Sequence, residues 1–143
     1  MPAANRPSTL SARGDAAKLL LRVLLGVLIL LHGISKLIGG DNGVTGMLAK
    51  MGLPEALGHL VYVGEVVAPL MVILGPWTRA AALVIAVNMV VAVLLAHTGQ
   101  LFSMNRSGGY ALELQAMYLF TALAIALLGA GRYSLGGTTG RWN

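Results

Sequence analysis

Four apolar runs, at about 17–38, 57–74, 80–97 and 110–128, dominate this chain, and Gly- or Pro-containing breaks separate them. A helix needs about 20 apolar residues to cross a hydrocarbon core of ~30 Å. Each run approaches that length, and in lipid only a helix or a closed barrel satisfies every backbone polar group. Charge is correspondingly scarce: 10% of residues are charged and 57% hydrophobic, whereas a soluble domain carries about 25% charge. The expected fold is all-α, an integral membrane four-helix bundle. One domain spans 17–135, between a flexible cytoplasmic tail at 1–16 and a short tail at 136–143.

The connections order the bundle. Gly75-Pro76-Trp77-Thr78 reads as a tight turn in which Gly and Pro end the second helix and Thr78 caps the third. Helices two and three are then antiparallel neighbours. The longer links contain the breakers Gly39-Gly40-Asp41-Asn42-Gly43 and Ser107-Gly108-Gly109. Placing the N-terminus inside puts Arg6, Arg13, Lys18, Arg22, Arg79, Arg132 and Arg141 on the cytoplasmic side, against Lys36, Lys50 and Arg106 outside. That bias predicts an N-in, C-in protein of the cytoplasmic membrane. A signal peptide is the rival reading of the first run, but no small-residue cleavage site follows it, so it reads as a retained helix.

Composition also excludes function classes. The net charge is +5, yet the basic residues flank apolar runs rather than forming a solvated stripe with aromatics, so nucleic-acid binding is excluded. The absence of cysteine removes disulfide, thiolate-metal and thiol-exchange chemistry. Any redox role then needs a bound cofactor, a metal on N and O ligands, or a partner protein.

Ionisable residues inside the apolar runs are the functional signal, because a charge at the centre of a membrane helix costs about 2.5–3.5 kcal/mol on insertion scales. Glu65 is the deepest of them, with no basic residue within five positions. The predicted topology gathers it with His32 and Lys36 of helix one, His97 at the end of helix three and Glu113 near the start of helix four, all in the outer half. Lys36, His32 and His97 are its expected partners. Tyr62, three residues before Glu65, shares its helical face. Pro69 is expected to kink helix two and open the bundle beside the carboxylate.

Plainer readings stand beside these. Arg22, Lys36 and Arg79 read equally as interface anchors, Glu113 as a counter-charge to a helix dipole, and His97 as a residue at the water boundary. His59 reads as structural, and Asn88 as one side of an interhelical hydrogen bond.

In order and spacing, His32-Gly33-x-x-Lys36-Leu37, Glu65, Gly75-x-x-Thr78-Arg79-x-Ala81-Ala82, His97, Gly108-Gly109 with Glu113, and Gly131-Arg132-Tyr133-Ser134-Leu135 resemble the DoxX family of small bacterial membrane proteins. The resemblance covers about 17–135. Gly136 departs from it, since members often carry an acidic residue there. The resemblance implies a four-helix protein of the bacterial inner membrane linked to redox metabolism. Its relatives include membrane subunits of thiosulfate:quinone oxidoreductases and members associated with oxidative-stress enzymes.

Three functions follow as expectations. In the first, a quinone-interacting subunit receives electrons from a partner oxidoreductase. His32 and His97 face the quinone oxygens, Glu65 and Glu113 transfer protons, Lys36 balances charge and Tyr62 hydrogen-bonds in the pocket. The second is a metal site on His32, Glu65, His97 and Glu113, which suits iron, zinc or copper by ligand type. Against it stand Lys36 and the absence of a Glu-x-x-His pair. The third is a non-enzymatic membrane anchor or assembly subunit, whose buried ion pairs specify helix packing. A homo-oligomer is compatible with each, and would be needed for a weaker fourth reading, a transporter.

Overall fold

One stripe of helix α1 organises the molecule. In a computed structural model that describes residues 9–40 and 42–143, α1 runs Thr9–Gly39. Arg22, Leu25, Ile29, Gly33 and Lys36 are spaced three or four residues apart and therefore share one face. Leu25 and Ile29 are buried there against Ala68, Val72, Ala82, Ile85, Ala122 and Ile125 of three other helices.

The helix begins well before the expected boundary. Residues 9–16, expected as tail, are helical, while 1–8 lie outside the described residues. Asp15 accounts for the extension: it is buried, accepts from the Arg132 amide at 3.4 Å and lies 4.0 Å from Lys18 Nζ.

A short helix, α2 (Asn42–Lys50), replaces the expected irregular link. Its Leu48 is buried, and Thr45 and Leu48 close over Gly58, where a Cβ would strike Thr45 Cγ2 at 2.7 Å. The expected breakers act only up to Gly40 (φ 83°), and Asp41 falls outside the described residues.

The third helical segment, α3, runs Glu55–Leu74. It changes type along its length: a 3-10 turn at Glu55–His59, α at Leu60–Tyr62, a π turn at Val63–Val67 and α again at Ala68–Leu74. Pro69 explains the π turn. It has no N–H for the Glu65 carbonyl and its ring would crowd that oxygen, so the ladder shifts and the Ala68 amide bonds Val63 instead. The expected kink is thus absorbed as a widened turn that carries Glu65.

Gly75 ends α3 in the left-handed region (φ 103°), its amide bonded to Met71 O at 2.7 Å. Trp77, also left-handed at φ 49°, holds the cap position of α4 (Thr78–Ala96). Thr78 is not the cap. Its hydroxyl donates back to Gly75 O at 2.8 Å, so it fixes the turn rather than the helix N-terminus.

The last helix, α5 (Glu113–Leu128), starts later than expected. The Ala111 amide is committed to Ser103 O and the Asn105 amide to Gly109 O, beside a Met104–Tyr110 bridge, and this holds the preceding chain as a loop. With 16 residues, α5 is about 24 Å long at 1.5 Å per residue. α1, α3 and α4 are long and apolar enough to cross a membrane; α5 is apolar but shorter. No strand occurs among the described residues.

Large apolar side chains such as Leu31, Val87, Phe120 and Leu127 point outward, so the outside is as apolar as the core. That inverts the pattern of a water-soluble bundle and suits lipid as the solvent.

Candidate functional site

The π turn and the α1 stripe bring the two charges together. The π turn is buried at Gly64 and Glu65. Gly33 lets α1 approach so closely that a Cβ there would collide with the Glu65 carbonyl, the oxygen Pro69 cannot bond. One turn further along α1, Lys36 Nζ donates to Glu65 Oε1 at 2.5 Å. The Glu65 side chain is 7% exposed and that of Lys36 31%, so the carboxylate is enclosed and the ammonium partly open.

This contact decides between the two readings of Lys36. Its stem turns inward to an ion pair instead of reaching for the interface. Tyr62 does not enter the site; its hydroxyl donates to the Lys36 carbonyl at 3.3 Å and steadies the end of α1.

A cavity of about 240 Å³ opens beside the pair. His32, Lys36, Glu65 and His97 line it, together with Gln115 and Tyr118 of α5 and the apolar Ile29, Met89, Ala92 and Leu114. His32 is exposed at its edge, its ring edge-on to Tyr118 with centroids 6.2 Å apart. His97 follows the last turn of α4, with Nε2 3.5 Å from Gln115 Nε2. Two buried polar atoms of this lining have no hydrogen-bond partner: Glu65 Oε2 and His97 Nδ1. Such atoms normally find one.

Glu113 is not part of this constellation. It is exposed at the N-terminus of α5, with Oε2 packed over Gly109 and close to Asn105. Helical geometry explains the miss. Two residues turn about 200° on a helix of 3.6 residues per turn, so Glu113 and the cavity-lining Gln115 face opposite ways. The same periodicity reveals what the reading by charge alone overlooked: Gln115 and Tyr118 share a face with the buried Ala122. Nor is the four-residue metal set assembled. Among the described residues no three His, Cys, Asp or Glu side chains come within reach of one ion.

Asn88 and His59 complete the inventory. Asn88 packs on Gly64, where a Cβ would meet its side chain, but its Nδ2 has no hydrogen-bond partner, so the expected interhelical bond is absent. His59 is exposed, with Nδ1 3.3 Å from Ala56 O.

Arg22 is the larger surprise. Instead of anchoring at an interface it is fully buried. Nε donates to Val72 O at 2.8 Å, Nη2 to Ile73 O at 2.9 Å, and Nη1 to Ala130 O at 2.5 Å and Tyr133 O at 3.0 Å. These carbonyls follow or end helices α3 and α5, where the ladder leaves acceptors unpaired. Pro76, four residues after Val72, has no amide to offer. The guanidinium therefore closes the far end of the bundle.

Comparison with known proteins places the chain in a family of membrane proteins. The model of a family described as DoxX matches residues 17–98. An uncharacterized protein of Haemophilus influenzae is 32% identical over 118 residues, covering 80% of this chain and 84% of its own length. A Bacillus subtilis protein named "Putative oxidoreductase CatD" is 28% identical over 73% of this chain and 78% of its own. An uncharacterized membrane protein of Mycobacterium tuberculosis is 34% identical over 62% of this chain and 56% of its own. No solved structure matches.

Proposed function

This chain belongs to the DoxX family of membrane proteins, and from that premise we propose that it is a quinone-interacting subunit, with the ring held in the cavity between α1, α3, α4 and α5. All four apolar helices lie in the bacterial inner membrane with both termini inside. The short α5 is accommodated by the loop before it, and the polar site faces the outer half. The basic residues at the helix ends support that orientation.

The observation that carries the reading is a pair of buried, unsatisfied polar atoms, Glu65 Oε2 and His97 Nδ1, on two residues that line a largely apolar cavity. Its volume, about 240 Å³, lies below the roughly 300–1,000 Å³ of sites for larger ligands. It therefore fits one aromatic ring and leaves a lipid tail to run out between helices. Ile29, Met89 and Leu114 offer apolar walls to the ring faces, and the polar atoms meet its oxygens.

When bound, a quinone supplies two-electron chemistry coupled to protons. The chain's own residues orient the ring and handle protons. Glu65 accepts and returns a proton at Oε2. Lys36 holds the carboxylate in place and offsets its charge, so the proton moves without leaving a bare anion in hydrocarbon. His97 binds at Nδ1. A partner oxidoreductase provides the electrons, since this cysteine-free chain has no evident carrier of its own. The name of the Bacillus subtilis relative supports a redox setting.

The test is ligand-dependent stability of the purified protein. A ligand bound only by the folded state stabilises it by about 2.7 kcal/mol at a hundredfold excess over Kd. Decylubiquinol is expected to raise the melting temperature of the wild type by several degrees, and that of Glu65→Gln or His97→Ala much less. No shift in the wild type with either decylubiquinone or its quinol would overturn the proposal.

A further inference from the structure

A carboxylate oxygen is an acceptor and nothing else. With Oε1 taken by Lys36 Nζ, the oxygen that Glu65 leaves without a partner is Oε2, a buried acceptor on a residue that lines the cavity, and it needs a donor. A quinone ring offers only carbonyl oxygens, and these are acceptors too. Placed against Oε2 of the ionised carboxylate, they would meet lone pairs rather than a proton. The reduced ring carries hydroxyls, which donate and accept.

Lys36 sharpens the argument. Its charge already compensates Glu65, so the site has no need of a cationic ligand, and a bound metal or amine would meet an ammonium only 2.5 Å from the carboxylate. A neutral donor remains. His97 Nδ1, the second orphan, takes either role with its tautomer, and the Gln115 amide can present either its oxygen or its nitrogen. Of the two unpartnered atoms, Oε2 of the ionised Glu65 is the one that can only accept.

Building on the quinone-site reading, we propose that this cavity selects the reduced, hydroxyl-bearing form of its aromatic ligand, a diphenol. Glu65 Oε2 accepts from one hydroxyl and thereby discriminates against the oxidised dicarbonyl form. A site built to bond a hydroxyl strongly rejects the analogue that lacks it, because its own buried group is then left unpaired. The expected preference is about tenfold or more. A tenfold tighter grip on the reduced form raises the potential of the bound two-electron couple by about 30 mV. The site is thus poised to take up quinol from the membrane or to hold a freshly reduced product.

The experiment compares affinities of the purified wild type for duroquinol and duroquinone. The measurement is made in detergent at neutral pH under anaerobic reducing and oxidising conditions respectively. Decylubiquinol and decylubiquinone form a second, lipid-tailed pair. The expected result is a quinol-to-quinone affinity ratio of at least about ten in both pairs. Tighter binding of the tailed quinol assigns the ligand to the membrane pool, and equal affinities assign it to a free diphenol. In Glu65→Gln the ratio falls toward one, because the amide can donate to a carbonyl. The exposed Glu55→Gln leaves it unchanged. A wild-type ratio of one or below with tight binding overturns the selectivity while leaving the quinone site standing; no binding of either form overturns both. The wild-type ratio decides the matter even if the Glu65 variant does not fold.

Discussion

Arg22 and Lys36 are two cations on the same stripe of the same helix, roughly four turns apart, and their surroundings could hardly differ more. Arg22 is fully buried, stands apart from the cavity beside Glu65, and gives its bonds to four backbone carbonyls. Lys36 is half-open and meets one carboxylate, whose second oxygen is buried without a partner on a residue that lines the cavity. Both are costly charges in an apolar helix. The difference teaches that two such charges are best told apart by how fully they are bonded, and that the incompletely bonded one is the candidate for a ligand. A saturated cation closes a fold, whereas an incompletely bonded pair leaves a valence for something else.

The comparison can be broken by mutation, and the largest effect is expected at Arg22. Arg22→Met would leave four carbonyls without these donors, two of them in buried bonds worth about 1–3 kcal/mol each and two in partly buried ones worth less. The protein should lose its monodisperse folded form in detergent, as read by size exclusion and thermal unfolding. Arg22→Lys keeps the charge but loses the planar fork, and should remain well below the wild type. A normal melting temperature for Arg22→Met would remove the structural reading.

The Lys36–Glu65 pair should behave differently. Lys36→Met alone leaves a buried uncompensated carboxylate and should cost about 2–3 kcal/mol. That is less than the ~3–5 kcal/mol of wholly enclosed pairs, because the Lys36 side chain is 31% exposed. The double variant Lys36→Met with Glu65→Leu should recover stability to within about 1 kcal/mol of wild type and bind no quinol. Thermal unfolding with and without ligand reads both effects. A double variant as unstable as the single one would make the pair a packing device after all.

Gly33→Ala comes last, with an effect no larger than that of Lys36→Met. The added methyl meets the Glu65 carbonyl, and such overpacking costs about 1–3 kcal/mol. Because the clash pushes α1 from the π turn, ligand affinity should fall along with the melting temperature. Unchanged affinity would show that the close approach at Gly33 does not position the pair.

Part of this was legible in the chain as written. The cost of Glu65 in an apolar run marked the site, and the interruption at Gly75-Pro76 placed α3 against α4. The α1 stripe was also there to be read. Its three- and four-residue spacing puts Arg22 and Lys36 on the face of Leu25 and Ile29, which argues against two interface anchors. Glu113 was misjudged because proximity in the topology was weighed without the helical angle that turns it away from Gln115. The loop bonds of Ala111 and Asn105, which delay α5, have no signature in hydropathy.

The sequence by itself determined the solvent and the element type. Apolar runs with so little charge are stable only where backbone groups bond internally, and that leaves helices in lipid. It also determined that Pro69 must disturb the helix carrying Glu65, since a missing amide is a covalent fact. The tertiary structure alone decided where the disturbance went, a π turn rather than a bend, because Gly33 offered room for the released carbonyl. It alone divided the two cations of α1 between closing the bundle and pairing with Glu65. That choice depends on which acceptors lie within about 3 Å of each head group, and those acceptors come from helices far away in the chain.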